Sequence, residues 1–153
     1  MVVLCSTTED KAIALAYISL GFWAFCTLFH TLIILVHASL DTIELKRCDT
    51  ALIRFVKTSP IDFHFNSLFG DLLRTGASFI LLKAINDCNT NMLVNFLRFK
   101  YIEVFLLLIL FMVSCFREEA NAFVKAYYTM SLVLDLAMLY IIFKYCCELL
   151  ANK

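Results

Sequence analysis

The chain has 153 residues, of which 62% are hydrophobic and 17% are charged. Soluble domains are about half apolar and a quarter charged, so this composition is typical of a membrane protein. The formal net charge is zero, which excludes a nucleic-acid-binding function that depends on a basic surface. At this length we expect a single domain, residues 1–153.

Four segments are predicted to be transmembrane helices, because a hydrocarbon core of about 30 Å takes about 20 apolar helical residues to cross. The predicted spans are residues 12–36, 66–85, 98–116 and 122–147. The second span is the least apolar, since it contains Asp71, Arg74 and Lys83. Backbone groups in lipid must be hydrogen-bonded within each segment. The predicted fold is therefore an all-α, four-helix transmembrane bundle with antiparallel neighbours.

The first segment has a second interpretation, a secretory signal peptide. Glu9 and Asp10 stand where such a peptide carries positive charge, and the apolar run that follows is too long for one. We therefore expect the first helix to remain in the mature protein.

Small residues on the first two helices predict close packing. The first helix has Ala12, Ala16 and Ser19 on one face, and the second has "GAS" at residues 76–78. In lipid, small side chains let two helix backbones approach and gain dispersion energy. Small residues are also common in membrane helices in general. The pattern is therefore compatible both with close packing of these two helices and with an ordinary membrane-helix composition.

The connection between the first two spans, residues 38–65, is the only sizeable loop. Within it, Leu52, Phe55 and Val56 share one helical face, which favours a short amphipathic helix on the membrane surface that ends before Pro60. An ordinary loop with scattered apolar residues fits the pattern equally well. By contrast, "NDCNTN" between the second and third spans predicts a tight polar turn.

A carboxylate, Asp135, lies in the middle of the apolar run "MSLVLDLAMLYII". A charge at the centre of a membrane helix costs about 2.5–3.5 kcal/mol on insertion scales, so we expect Asp135 to have a partner. Arg74 lies near the midpoint of the second span, with Asp71 one turn earlier on the same face, and His30 lies toward the same end of the first helix. We predict that these four residues form a polar cluster inside the bundle.

Three alternatives to that cluster stay open. The guanidinium of Arg74 can snorkel to the headgroups, with Asp71 also at the interface. Asp135 can be protonated, since burial favours the neutral carboxyl. His30 can be an ordinary hydrogen-bonded core residue.

The cysteines suggest two modifications. Cys146 and Cys147 lie together at the end of the last helix, where a thiol at the membrane interface meets acyl donors, so they are predicted palmitoylation sites. Two buried small hydrophobic residues are an equally good interpretation. Cys48 and Cys115 are expected on the same side of the membrane and are the candidate disulfide.

The Lys and Arg residues do not predict the orientation in the membrane. Six of them are expected on the side of the termini and seven on the opposite side, so neither side has a clear excess of positive charge.

Motifs of enzymatic chemistry are absent from the sequence. The three histidines are far apart, and "HFN" at His64 has no neighbouring ligand to complete a metal site. The chain also lacks a Gly-rich phosphate loop, a nucleophile elbow, an HExxH motif and a CxxC motif. We expect neither catalysis nor a cofactor.

One segment carries a family resemblance. In "LLKAINDCNTNMLVNFLRFKYIEVFLLLILF" a polar hairpin leads directly into the third span, after a long first span and one sizeable loop. This layout resembles small four-span membrane proteins of insects that are known only as a domain of unknown function. It is also similar to the lysosome-associated LAPTM proteins and to MARVEL-type proteins, although this chain lacks the Pro-Tyr motifs of the LAPTM proteins. The resemblance implies cytosolic termini and an endolysosomal or plasma membrane location.

The expected function is that of a non-enzymatic accessory, scaffold or organiser. Such a protein would contact membrane lipids and other membrane proteins through its helices, and it can form homo-oligomers. The alternative is a transporter or channel subunit whose intramembrane polar cluster carries protons or small solutes.

Overall fold

The computed structural model describes residues 7–39, 51–58, 60–116 and 122–151, and the fold is given for these residues. They form five α-helices and, within these ranges, no β-strand. In chain order the helices are α1 (Thr8–Ser39), α2 (Ala51–Thr58), α3 (Ile61–Asn86), α4 (Thr90–Phe116) and α5 (Ala122–Ala151).

Each predicted span lies within a longer helix. The largest difference is at α4, which begins at Thr90 rather than at residue 98. Helix α3 begins at Ile61 rather than at residue 66, and α5 ends at Ala151 rather than at residue 147. The spans were predicted from apolar runs, whereas a helix begins and ends where its terminal backbone groups find hydrogen-bond partners.

Three of the described helices are long and apolar enough to cross a membrane. They are α1, α4 and α5, with a mean hydropathy of 1.9, 2.1 and 1.7 in their most apolar segments. Helix α3 is not among them, because its charged and polar side chains lower its hydropathy. Three such helices in a chain of 153 residues are typical of a membrane protein.

The predicted turn between α3 and α4 is present at Asp87–Asn89. Cys88 has a positive φ of 47°, and the amide of Asn89 donates back to the carbonyl of Ala84 at 2.9 Å. Such left-handed residues commonly end helices. The side chain of Asn89 then accepts a hydrogen bond from the amide of Met92 at 3.2 Å, which caps the start of α4. The polar residues of this turn therefore end one helix and begin the next.

The chain divides into two compact units. The first unit comprises residues 1–19 and 77–153, and the second comprises residues 20–76. In the first unit, the hydroxyls of Ser19 and Ser78 are hydrogen-bonded at 3.0 Å, and both side chains are buried. This contact joins the small-residue faces that the sequence analysis identified on the first two long helices.

In the second unit, the short helix α2 packs against α1. Val56 of α2 and Ile33 of α1 are both buried and form one apolar core, against which Phe29 and Phe55 pack. Arg54 is exposed, so the polar and apolar faces of α2 separate as the pattern predicted. Of the two interpretations of this segment, the structure therefore has the helix, and it ends at Thr58, before Pro60.

Candidate functional site

Three of the four predicted cluster residues meet in the second unit. Asp71 of α3 is fully buried, and its carboxylate accepts a hydrogen bond from the Arg74 guanidinium at 3.2 Å. The imidazole Nε2 of His30, from α1, lies 3.6 Å from the other carboxylate oxygen of Asp71. These residues, together with His64 and Trp23 described below, are called the His–Asp–Arg cluster. The cluster links α1 to α3 through polar and charged side chains that are buried in the protein.

His64 is a member of this cluster that the sequence analysis missed. Its Nδ1 lies 2.7 Å from Nδ1 of His30, and both rings are buried. The sequence analysis considered His64 only as a metal ligand and did not predict its contact with His30. A usable signal was present, because His64 precedes Asp71 by seven residues, about two helical turns, and so lies on the same face of α3.

The contact between the two imidazoles restricts their protonation. A hydrogen bond between two ring nitrogens needs one N–H donor and one bare nitrogen acceptor. If both rings carried two protons, two N–H groups would face each other at 2.7 Å and the bond would be lost. The pair therefore holds one positive charge at most, and the Asp71 carboxylate lies close to it but beyond hydrogen-bond distance, at 3.6 Å from Nε2 of His30.

Arg74 is held on a second side by an aromatic ring. Its guanidinium carbon lies 4.5 Å from the ring centroid of Trp23, a fully buried residue of α1. A cation over a tryptophan face is stabilised by about 2 kcal/mol when both groups are desolvated. Since Arg74 is only 8% exposed, its guanidinium points into the protein, unlike a side chain that snorkels to the headgroups.

Asp135, the fourth predicted residue, belongs to a second cluster in the first unit. The ammonium of Lys100 donates to the Asp135 carboxylate at 2.6 Å and lies 2.7 Å from the Glu103 carboxylate. Lys100 is 1% exposed and Asp135 is 0% exposed, and Glu103 is largely buried. We call these residues the Lys100 cluster, and it joins α4 to α5. The proposed contact between Asp135 and Arg74 would join the two units and stays a prediction.

Lys100 was missed as a partner because it was counted with the charges that flank the membrane. A lysine side chain has a long apolar stem, which lets its ammonium group lie well away from its own backbone position. Here the stem carries the ammonium inward, to Asp135. The spacing of Lys100 and Glu103, three residues apart on one helix, was the available signal.

The cysteines differ in their surroundings. Cys146 is buried, whereas Cys147 and Cys115 are exposed, and these three are free thiols in the structure. Cys48, the predicted disulfide partner of Cys115, lies outside the described residues, so the disulfide stays a prediction. Palmitoylation of Cys146 and Cys147 also stays a prediction, and the exposure of Cys147 makes it the more accessible of the two.

Comparisons with known proteins do not extend the description of the site. Comparison of the chain with protein-family models, with curated protein sequences and with solved structures finds no match. Within the part of the chain that the structure describes, no three His, Cys, Asp or Glu side chains are grouped so that they can hold a metal ion. The two clusters and the apolar helices therefore define the class of protein only broadly: a helical protein with the features of a membrane protein.

Proposed function

We propose that the chain is a small, four-span, non-enzymatic membrane protein that organises other membrane components. Helices α1, α3, α4 and α5 cross the bilayer, with neighbours antiparallel and both termini in the cytosol. The membrane is the plasma membrane or an endolysosomal membrane, in keeping with the family resemblance. The partners are lipids and other membrane proteins, including further copies of this chain.

The observation that carries this proposal is the reversed distribution of polar and apolar side chains on α3. In its middle part, between Phe69 and Ile80, the ionic residues Asp71 and Arg74 are buried, while most exposed positions are large and apolar: Phe69, Leu72, Leu73, Phe79 and Ile80. Soluble proteins place charged residues outside. Ionisable residues of membrane helices face the protein interior and pair there. The low hydropathy of α3 thus arises in part from buried residues that would not contact lipid.

An organising role is supported by the outer surface of α4. This helix exposes bulky apolar residues around much of its circumference: Tyr101, Ile102, Phe105, Leu106, Leu108, Ile109, Leu110, Met112 and Val113. Exposed apolar surface of this extent marks contact with lipid or with partner proteins. The buried charges of both clusters have partners within the protein, which suits a structural role.

Cysteine labelling tests the four-span topology. In variants that keep one cysteine each, we expect Cys5 and Cys88 on the same side of the membrane and Cys48 on the opposite side. A membrane-impermeant maleimide applied to intact and to permeabilised cells measures this. If α3 does not cross the bilayer, Cys48 and Cys88 will instead be labelled from the same side. Release of the protein by carbonate, without detergent, would contradict membrane insertion altogether.

A second candidate function, proton or solute passage, is favoured by the hydrogen-bonded His30–His64 pair beside Asp71. Imidazoles in a row can relay protons across a membrane. Proton flux into liposomes separates the two functions. The organising role predicts flux no higher than in empty liposomes for the wild type, for His64→Phe and for Asp135→Asn. Flux in the wild type that His64→Phe or Asp135→Asn abolishes, while Lys83→Gln preserves it, would replace our proposal with transport.

A further inference from the structure

The contact between His30 and His64 joins α1 to the first turn of α3. Aromatic rings surround the two imidazoles. Phe63 lies against both of them, with ring centroids 5.6 Å and 5.3 Å away, and Phe29 lies against both at 5.7 Å and 6.4 Å. Phe29 also contacts Phe55 of α2, at 6.4 Å. The imidazole pair is therefore a buried polar contact within an aromatic shell to which α1, α2 and α3 all contribute.

The charges of the His–Asp–Arg cluster balance while the imidazole pair is neutral. The guanidinium of Arg74 and the carboxylate of Asp71 carry opposite charges and lie 3.2 Å apart. One proton on the pair adds one positive charge and keeps the hydrogen bond between the rings. A second proton adds another positive charge and removes the nitrogen that accepts this hydrogen bond. Because buried charge that is not balanced is costly, we expect the doubly protonated rings to separate and take up water.

Other titratable groups of the second unit do not offset this positive charge, among the residues that the structure describes. From α1, His37 and Cys26 are close enough to interact electrostatically with the cluster. A proton on His37 would add to the positive charge, and a cysteine thiol is neutral in acid. Arg54 of α2 and Asp62 in the first turn of α3 are exposed, so water and salt screen their charges.

We propose that the contact between His30 and His64 is a pH-sensitive switch, closed at neutral pH with α1 held against α3 and open in acid. In the open state the rings are separated and hydrated, and such an imidazole binds a proton below about pH 6.5. The open state then has two protons on the pair, whereas the closed state has at most one. This switch adds a regulatory input to the proposed organising role and does not require that α3 crosses the bilayer.

The sign of the pH dependence follows from these proton numbers. The open state binds more protons than the closed state, so its population rises as the pH falls. The ratio of open to closed protein changes by about tenfold per pH unit for each additional proton. We therefore expect a rise of between about tenfold and about a hundredfold per pH unit, for one or two additional protons, below about pH 6.

Acrylamide quenching of Trp23 fluorescence, measured on the full-length protein in detergent, tests the proposal. Trp23 is fully buried, is the only tryptophan of the chain and lies against Arg74, so hydration of the cluster exposes its ring to this neutral quencher. Between about pH 7.5 and about pH 5 we expect quenching to increase reversibly with the steepness given above. Far-UV circular dichroism should show that the helices are retained.

Two variants identify the titrating groups. His64→Asn removes one ionisable ring but leaves an amide that can hydrogen-bond to Nδ1 of His30, so we expect it to lose the acid-dependent increase in quenching. His37→Gln is the matched control, because His37 is the third histidine of the chain and is not a member of the hydrogen-bonded pair. This control should keep the increase.

Nitrogen NMR of the histidine side chains in the wild type gives a second measurement, which decides the matter if His64→Asn is not folded. At neutral pH we expect a coupling across the hydrogen bond between His30 and His64. At about pH 5 this coupling should be lost, and each of the two rings should carry two N–H groups.

Several results would overturn the proposal. Quenching of the wild type that does not change with pH would do so, as would equal responses of folded His64→Asn and His37→Gln. A single proton still shared between the rings at about pH 5 would also contradict it. Loss of helix content together with the increase in quenching would indicate general acid unfolding instead of a switch. Release of the protein by carbonate concerns the proposed function alone.

Discussion

Replacing Asp135 with leucine is expected to lower the free energy of unfolding by about 3 kcal/mol. The substitution leaves the ammonium of Lys100 buried without its closest partner, and breaking a buried ion pair from one side costs about 3–5 kcal/mol. We expect the lower end of that range because Glu103 still lies 2.7 Å from the ammonium. Unfolding of the purified protein in detergent, followed by circular dichroism, measures the loss.

The double variant Lys100→Met/Asp135→Leu should regain most of that stability, because replacing a buried ion pair by apolar residues is often neutral or stabilising. Ser131→Ala is the matched control: Ser131 is also fully buried on α5, and its hydroxyl bonds only the carbonyl of Tyr127 among the contacts described. Equal losses for Asp135→Leu and Ser131→Ala would contradict a stabilising Lys100–Asp135 pair. The same comparison of single and double variants, with Arg74→Leu in place of Lys100→Met, tests the predicted pairing of Arg74 with Asp135. They are not partners if the double variant is no better folded than the worse single variant.

Replacing Asp71 with leucine should cost about 3–5 kcal/mol. The guanidinium of Arg74 cannot lose its charge, so it would remain buried against Trp23 without the carboxylate that lies 3.2 Å away. Trp23 is the only tryptophan of the chain, and its fluorescence therefore reports on this cluster directly. We expect its emission to shift to longer wavelength and unfolding to occur at a lower denaturant concentration.

Asp62→Leu is the control for this prediction. Asp62 lies in the first turn of the same helix and is exposed, so its charge interacts mainly with the helix dipole, an effect of about 0.3–1 kcal/mol. Adding Arg74→Met to Asp71→Leu should restore much of the stability. If Asp71→Leu leaves both the tryptophan emission and the stability unchanged, then the His–Asp–Arg cluster does not hold α1 to α3.

The contacts that could be predicted are those that helical spacing places on one face. Asp71 and Arg74 are three residues apart, and their pairing follows from that spacing alone. The amphipathic helix α2 follows from the same principle, since Val56 and Arg54 lie on different faces. His30 was included in the predicted polar cluster because of its position along α1, and the apolar run of residues 12–36 was enough to locate that helix.

Contacts between distant residues were harder to predict. The pairing of His30 with His64 depends on how α1 and α3 are rotated about their axes, which their weakly amphipathic sequences do not determine. The pairing of Lys100 with Asp135 depends on the conformation of a flexible side chain. The start of α4 was missed because its cap, Asn89, lies nine residues before residue 98, where the predicted span begins.

The length of α1 has a consequence for the kind of bilayer that suits this protein. Its apolar residues 12–36 form part of one uninterrupted helix and extend for roughly 37 Å at about 1.5 Å per residue. That exceeds an average hydrocarbon thickness of about 30 Å, so an α1 that crosses the bilayer as proposed must tilt or thicken the lipid around it. Sterol-rich membranes are a few ångströms thicker than those of the endoplasmic reticulum and reduce this mismatch. If α1 crosses the bilayer as proposed, bilayer thickness alone therefore favours a sterol-rich membrane over that of the endoplasmic reticulum.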